Sequence, residues 1–98
     1  MAMMEISILP VGTGQTSLSE YVAHAVKIAR ASGLEFELND MGTTVSGEID
    51  KLFELAADMH KALFGYGVKR VYTVIKIDER IDKKAGLGLK TASVRRKL

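Results

Sequence analysis

The stretch LEFELNDMGTTVSG, residues 34–47, decides the fold. Leu34, Phe36 and Leu38 alternate with Glu35, Glu37 and Asn39, the period-two pattern of a strand with one dry face and one wet face. Asp40, Met41 and Gly42 then offer a tight turn, and residues 43–46, β-branched at three of four positions, pair back antiparallel until Gly47. A hairpin lying mid-chain between two helical patterns is the centre of a split β-α-β arrangement.

Upstream of the hairpin, Ser17 and Glu20 have the S-x-x-E spacing of a helix-capping box. Leu18, Tyr21, Val22, Ala25, Ile28 and Ala29 follow at helical spacing, and Gly33 is the expected left-handed terminator. Before that helix, residues 3–9 alternate Ile6 and Ile8 with Glu5 and Ser7, and Pro10, which has no N–H to donate, ends a first strand. Downstream, residues 48–66 predict a second helix with an apolar stripe of Ile49, Leu52, Phe53, Ala56, Met59, Leu63 and Phe64. Residues 68–77 read as the strongest strand, with Val71, Thr73, Ile75 and Ile77 on one face and Tyr72 and Val74 making the other face apolar too. Helices cover only one face of so small a sheet, so the second face is expected to meet another subunit. Leu87, Thr91, Val94 and Leu98 recur at the spacing of a short basic helix. The predicted fold is therefore an α+β, ferredoxin-like βαββαβ sandwich forming a single domain over residues 1–98. It has a four-stranded antiparallel sheet with two helices on one face, plus a short C-terminal helix.

Composition narrows the function. An apolar share of 47% with 27% charged residues and one proline is an ordinary globular profile. The absence of cysteine removes disulfide scaffolds, thiolate metal sites and cysteine catalysis, and fits a reducing, cytoplasmic setting. No apolar run approaches a membrane span, and the first eleven residues lack the basic start of a secretory signal. The net charge of +2 is uneven: from Ile81 onward six cations face only Asp82, giving +5 there and −3 before it. Without exposed aromatics on the first strand or an RNA-recognition signature on the last, that basic tail is a helix face or a subunit contact, and no nucleic-acid partner is expected.

Catalytic patterns are thin. His24 and His60 stand alone on predicted helices without metal-ligand spacing, and read as helix-edge histidines. Gly12-Thr13-Gly14 follows a strand but matches neither the dinucleotide fingerprint nor a phosphate loop, so these are turn glycines. Asp78, Glu79, Arg80 and Asp82 form a dense charge cluster whose simplest reading is a solvated loop with internal ion pairs. Neither an enzyme nor a cofactor or metal is expected.

Five segments together resemble a known family: Pro10 with its Gly-rich loop; Ser17-x-Ser19-x-Tyr21-Val22-Ala23; Met41-Gly42-Thr43; His60; and Arg70-Val71-Tyr72-Thr73-x-x-Lys76-Ile77-Asp78-x-Arg80-x-Asp82. The chain is similar, over nearly its whole length, to the thiamine-binding-protein-like family of small uncharacterised proteins. The resemblance implies a ferredoxin-like fold, a homotetramer built through the sheets, and non-catalytic binding of thiamine or its hydroxymethylpyrimidine moiety. The alternative is a structural or regulatory oligomeric module with no vitamin ligand.

An aminopyrimidine requires a flat slot with apolar or aromatic walls and hydrogen-bonding groups along its edge, and a thiazolium cation favours a nearby carboxylate. On the family pattern the candidates are Ser17, Ser19, Met41, Thr43 and Thr44, with Tyr21 and Tyr72 as walls. Each has a competing structural role: Ser17 as a cap, Tyr21 and Met41 in the core, the threonines as strand formers. One departure bears on the ligand. Where many family members carry an acidic residue before the glycine that ends the third strand, this chain has Ser46-Gly47, which disfavours cationic thiamine relative to a neutral pyrimidine if that position faces the ligand.

Overall fold

The computed structural model describes residues 1–84 and 86–98. The elements run β1 (Ala2–Pro10), α1 (Ser19–Ala31), β2 (Glu35–Asn39), β3 (Gly42–Gly47), α2 (Ile49–Ala62) with a 3-10 turn (Leu63–Tyr66), β4 (Val71–Glu79) and α3 (Leu89–Arg95). The sheet has the order β2-β3-β1-β4, every neighbouring pair antiparallel. Each crossover helix therefore joins parallel strands that flank a third, which is the split β-α-β topology that the central hairpin predicts.

Alternation along β1 sorts the sheet into two faces. Ala2, Met4, Ile6 and Ile8 are buried, and their cross-strand partners Val45 and Thr43 on β3 and Ile77, Ile75 and Thr73 on β4 share that face. α1 contributes Ala25 and Ala29 to the core above it, and α2 contributes Leu52, Leu55, Ala56 and Met59, with Leu63 from the 3-10 turn. Small alanines on α1 against larger side chains on α2 let the two helices lie close over one face. The molecule is only 19 Å through its thinnest direction, the depth of one helical layer on one sheet. The opposite face, carrying Met3, Glu5, Ser7 and Leu9 of β1 and Tyr72, Val74, Lys76 and Asp78 of β4, has no helical layer of comparable size.

Several sequence expectations shift by local geometry. The first helix begins at Ser19, with Leu18 at its N-cap and no side-chain cap, so Ser17 lies one residue too early to close a capping box. Glu20 still occupies the first turn, where a negative charge complements the helix dipole. Gly33 takes φ +77°, the left-handed conformation its position requires. On α2 the buried stripe runs through Leu52, Leu55, Ala56 and Met59; Phe53, one residue or 100° further round, is 56% exposed, and Phe64 is also exposed. The last strand begins at Val71 and extends to Glu79 rather than spanning 68–77. Leu38, expected on the dry face, points to that side but remains exposed at the sheet edge.

α3 contributes no buried residue and is tied to the sheet by charge. Lys90 Nζ lies 2.6 Å from Asp78 Oδ2, and the ammonium holds the Asp78 carboxyl below its ordinary 3.8. A lowered carboxylate adds stability above its unfolded value and loses it as the pH falls through the lower folded value, so the attachment weakens only below pH 3.8. Both groups face solvent, where salt screens them. Asp78→Asn at neutral pH, or molar salt, is expected to speed amide exchange in α3 while leaving β1 and β4 protected; equal loss across the sheet would contradict this attachment.

Candidate functional site

A cleft with predominantly apolar walls, of about 110 Å³, lies where α1 leans over the β2–β3 hairpin. Ile6 and Ile8 form its floor from β1, Val22, Ala25 and Val26 its wall from α1, and Met59 reaches in from α2. Leu38, Asn39, Asp40, Met41, Gly42 and Thr43 supply the hairpin side. The pairing of Val22 with Val26 follows from helical spacing, since residues four apart share a face. An apolar cavity of about 150 Å³ is enough to take benzene, so a recess of this size suits a single small ring.

The hairpin is fixed to the sheet by a close approach. Ser7 Oγ donates to the Met41 carbonyl at 2.8 Å, and Asn39 Nδ2 donates to Thr44 Oγ1 at 3.2 Å. A Cβ on Gly42 would stand 3.1 Å from both the Ile6 carbonyl oxygen and Ser7 Oγ, so glycine lets the hairpin backbone lie against β1. The cleft thus has a polar lip, with the Asp40 carboxylate and the Thr43 hydroxyl beside apolar walls, while the Asn39 amide turns to the opposite face with Thr44.

The residues singled out from the sequence separate into three places. Met41 and Thr43 line the cleft, Met41 as an 84% exposed lip and Thr43 buried on the helix-covered face. Ser19 lies on an adjoining depression with Val22, Val26, Leu38, Asn39 and Asp40. Tyr21 packs against the core and does not line the cleft. Thr44 and Tyr72 are on the opposite face of the sheet, and Tyr72 flanks the Gly-rich loop together with Leu9. Ser17 is exposed and lines neither recess. Ser46 pairs with Met3 and Glu35 on that same opposite face and is 3% exposed, so it does not face the cleft. The cleft residues that sequence reasoning misses include Ile6, Ile8, Val22, Ala25, Val26, Asp40 and Met59; the signal available is parity, which sends Thr43 and Thr44 to opposite faces.

Other polar groups are engaged locally. His60 Nδ1 is 2.7 Å from Thr73 Oγ1, joining α2 to β4, and its ring meets Phe64 edge-on. His24 stacks on Tyr66 with centroids 3.6 Å apart. Arg80 donates through Nε and Nη2 to the two oxygens of Asp82 at 2.7 and 2.6 Å, which lowers the Asp82 carboxyl and raises the guanidinium. Within the charge cluster Arg80 and Asp82 thus pair with each other just after β4, while Asp78, near the end of the strand, pairs with Lys90 of α3. Among the described residues no group of three possible metal ligands comes together.

A split β-α-β sandwich with a small apolar cleft between its first helix and central hairpin is a ferredoxin-like α+β domain. The chain belongs to the thiamine-binding protein family, whose model matches residues 4–95. It is 41% identical over 95 residues to a UPF0045 protein of Methanothermobacter thermautotrophicus, covering 96% of each chain. It is 40% identical over 102 residues to the UPF0045 protein YqgV of Bacillus subtilis, covering 100% of this chain and 98% of that one. Its fold is similar to the crystal structure of the hypothetical protein MJ1052 of Methanocaldococcus jannaschii, with a TM-score of 0.89 and 33% identity over 96% of this chain and 95% of the other.

Proposed function

We propose that the protein binds thiamine or its hydroxymethylpyrimidine moiety in the α1–hairpin cleft and releases it unchanged. The observation that carries this reading is the cleft itself: a ring-sized recess with aliphatic walls and a polar lip, in a chain of the thiamine-binding protein family. Ile6, Ile8, Val22, Val26 and Met59 sandwich the flat ring, and the Thr43 hydroxyl pairs with its polar edge. Asp40 at the mouth faces the thiazolium cation when the whole vitamin binds. Met41 closes the lip and Ser19 extends the polar rim. On this reading Ser17, Tyr21, Thr44 and Tyr72 act outside the pyrimidine slot. Binding without catalysis agrees with an apolar site whose one carboxylate, Asp40, is exposed.

The working form on this reading is a cytoplasmic homotetramer. Leu9, Tyr72 and Val74, exposed by 42%, 56% and 41%, give the uncovered sheet face an apolar patch for a partner. No helix among the described residues is long and apolar enough to cross a membrane. The same patch favours a second reading, an assembly module with no vitamin ligand. A thermal-shift series with thiamine, its phosphates, hydroxymethylpyrimidine and unrelated nucleotides separates the two. The binding reading expects a selective rise with the pyrimidine compounds, since a ligand of the folded state at 100 times its Kd adds about 2.7 kcal/mol. A flat response at millimolar ligand by a protein of tetramer mass would favour the assembly reading.

A further inference from the structure

The basic tail, which the cleft leaves unused, forms one bank of a second recess. Leu89, Lys90, Ser93 and Arg96 recur three or four residues apart and so share one face of α3 and its C-cap. Opposite them the segment after β4 supplies Arg80, Lys83 and Lys84, and Met3 of β1 adds an apolar floor. The space between is about 440 Å³, within the range of small-molecule sites. Five cations line it, with no carboxylate among the described lining residues.

The recess keeps a positive excess. Asp82 pairs with Arg80 and Asp78 with Lys90, whereas Lys83, Lys84 and Arg96 enter no ion pair among the described residues. Like charges gathered round one concavity repel each other, and an anion between them relieves that cost. Packing does not account for the helix, because α3 buries none of its residues. What it supplies is the far bank of the recess.

We propose that the recess between α3 and the segment after β4 binds a small soluble anion carrying a diphosphate group. Charge and shape select that class. One phosphate group carries about −1.5 to −2 near pH 7, which leaves part of the charge of Lys83, Lys84 and Arg96 unmatched, and a second group satisfies it. The Arg96 guanidinium offers a planar fork to two phosphate oxygens, Lys83 and Lys84 act as point charges from the other bank, and the Ser93 hydroxyl donates a further hydrogen bond. A membrane surface calls for cations on a common outward plane, whereas these stand on two banks of a concavity. The bound anion bridges the banks and gives α3 a second attachment beside the Lys90–Asp78 pair. Met3 and Asp78 place the site on the sheet face opposite the α1–hairpin cleft, and it is independent of the pyrimidine reading.

Inorganic pyrophosphate is the probe, titrated calorimetrically into the whole chain at low ionic strength beside orthophosphate. Pyrophosphate should bind saturably, at least about tenfold tighter than orthophosphate, and weaken as salt rises. Lys84→Ala/Arg96→Ala takes one exposed cation from each bank, so the circular dichroism spectrum should persist while pyrophosphate affinity falls about tenfold or more. Lys51→Ala/Lys61→Ala removes two exposed cations from α2, on the other side of the sheet, and should leave the affinity unchanged. Amide exchange in α3 of the wild type should slow when pyrophosphate is added. Phosphatidylserine vesicles test a lipid source of the same anionic chemistry, and the wild type should not sediment with them. Absence of saturable heat up to millimolar pyrophosphate, or equal losses in the two double variants, overturns the proposal; sedimentation with the vesicles in either case assigns the basic tail to a lipid surface instead.

Discussion

Replacing Leu52 by alanine is expected to lower stability by roughly 2–5 kcal/mol, the range for deleting a buried leucine side chain. Leu52 is fully buried on α2 within the cluster that includes Met4, Val45 and Met59. Its removal opens a void between helix and sheet that the neighbouring strand backbone cannot collapse to fill. A domain of this size has only about 5–15 kcal/mol in total, so the loss is a large share of it, worth on the order of 10–20 °C in melting temperature. Phe53→Ala, one residue along, removes a larger side chain that is half in solvent and should cost less than about 1 kcal/mol. Urea unfolding of the two variants checks the helix phase directly. A costlier Phe53→Ala would mean that the buried stripe is the one containing phenylalanine.

Enlarging the cleft wall has the second large effect. Val22 is partly buried and faces both the cleft and the neighbouring depression, so Val22→Phe places a ring in the space assigned to the pyrimidine. The cleft has room for such a ring, so the fold should survive, while ligand affinity falls more than tenfold, or about 1.4 kcal/mol. Thermal unfolding without ligand and calorimetric titration with hydroxymethylpyrimidine separate those outcomes. Unchanged affinity in a folded Val22→Phe protein would move the site elsewhere.

These variants mark where the sequence is legible. The hairpin at residues 34–47 is readable because alternation, a turn and a terminal glycine agree there, and it sets the topology on its own. Helix phase is harder. Phe53 and Leu55 are both apolar neighbours of Leu52, and only packing against the sheet decides that Leu55 is covered and Phe53 is not. The capping box at Ser17 and Glu20 has the right residues, yet the helix starts at Ser19, because spacing alone does not fix where a loop releases the chain.

The site was less legible than the fold for a related reason. The sequence pattern brought together residues near the ends of α1 and the hairpin, which the fold does assemble, and Met41, Thr43 and Ser19 lie there. It does not separate the two faces of the sheet, so it groups Thr44 and Tyr72 with residues on the other side of a backbone layer. The cleft's floor comes from Ile6, Ile8 and Met59, ordinary core residues whose chemistry gives no sign that a recess remains above them.

The central claim is that the α1–hairpin cleft is the pyrimidine site, and the most direct measurement is an amide-resolved NMR titration of the wild-type protein with hydroxymethylpyrimidine. The account predicts saturable shifts concentrated at Val22, Ala25, Val26 and residues 39–43, with Thr44, Tyr72 and Val74 nearly still. Saturable shifts centred on Tyr72 and the Gly-rich loop, with the cleft unmoved, would contradict it.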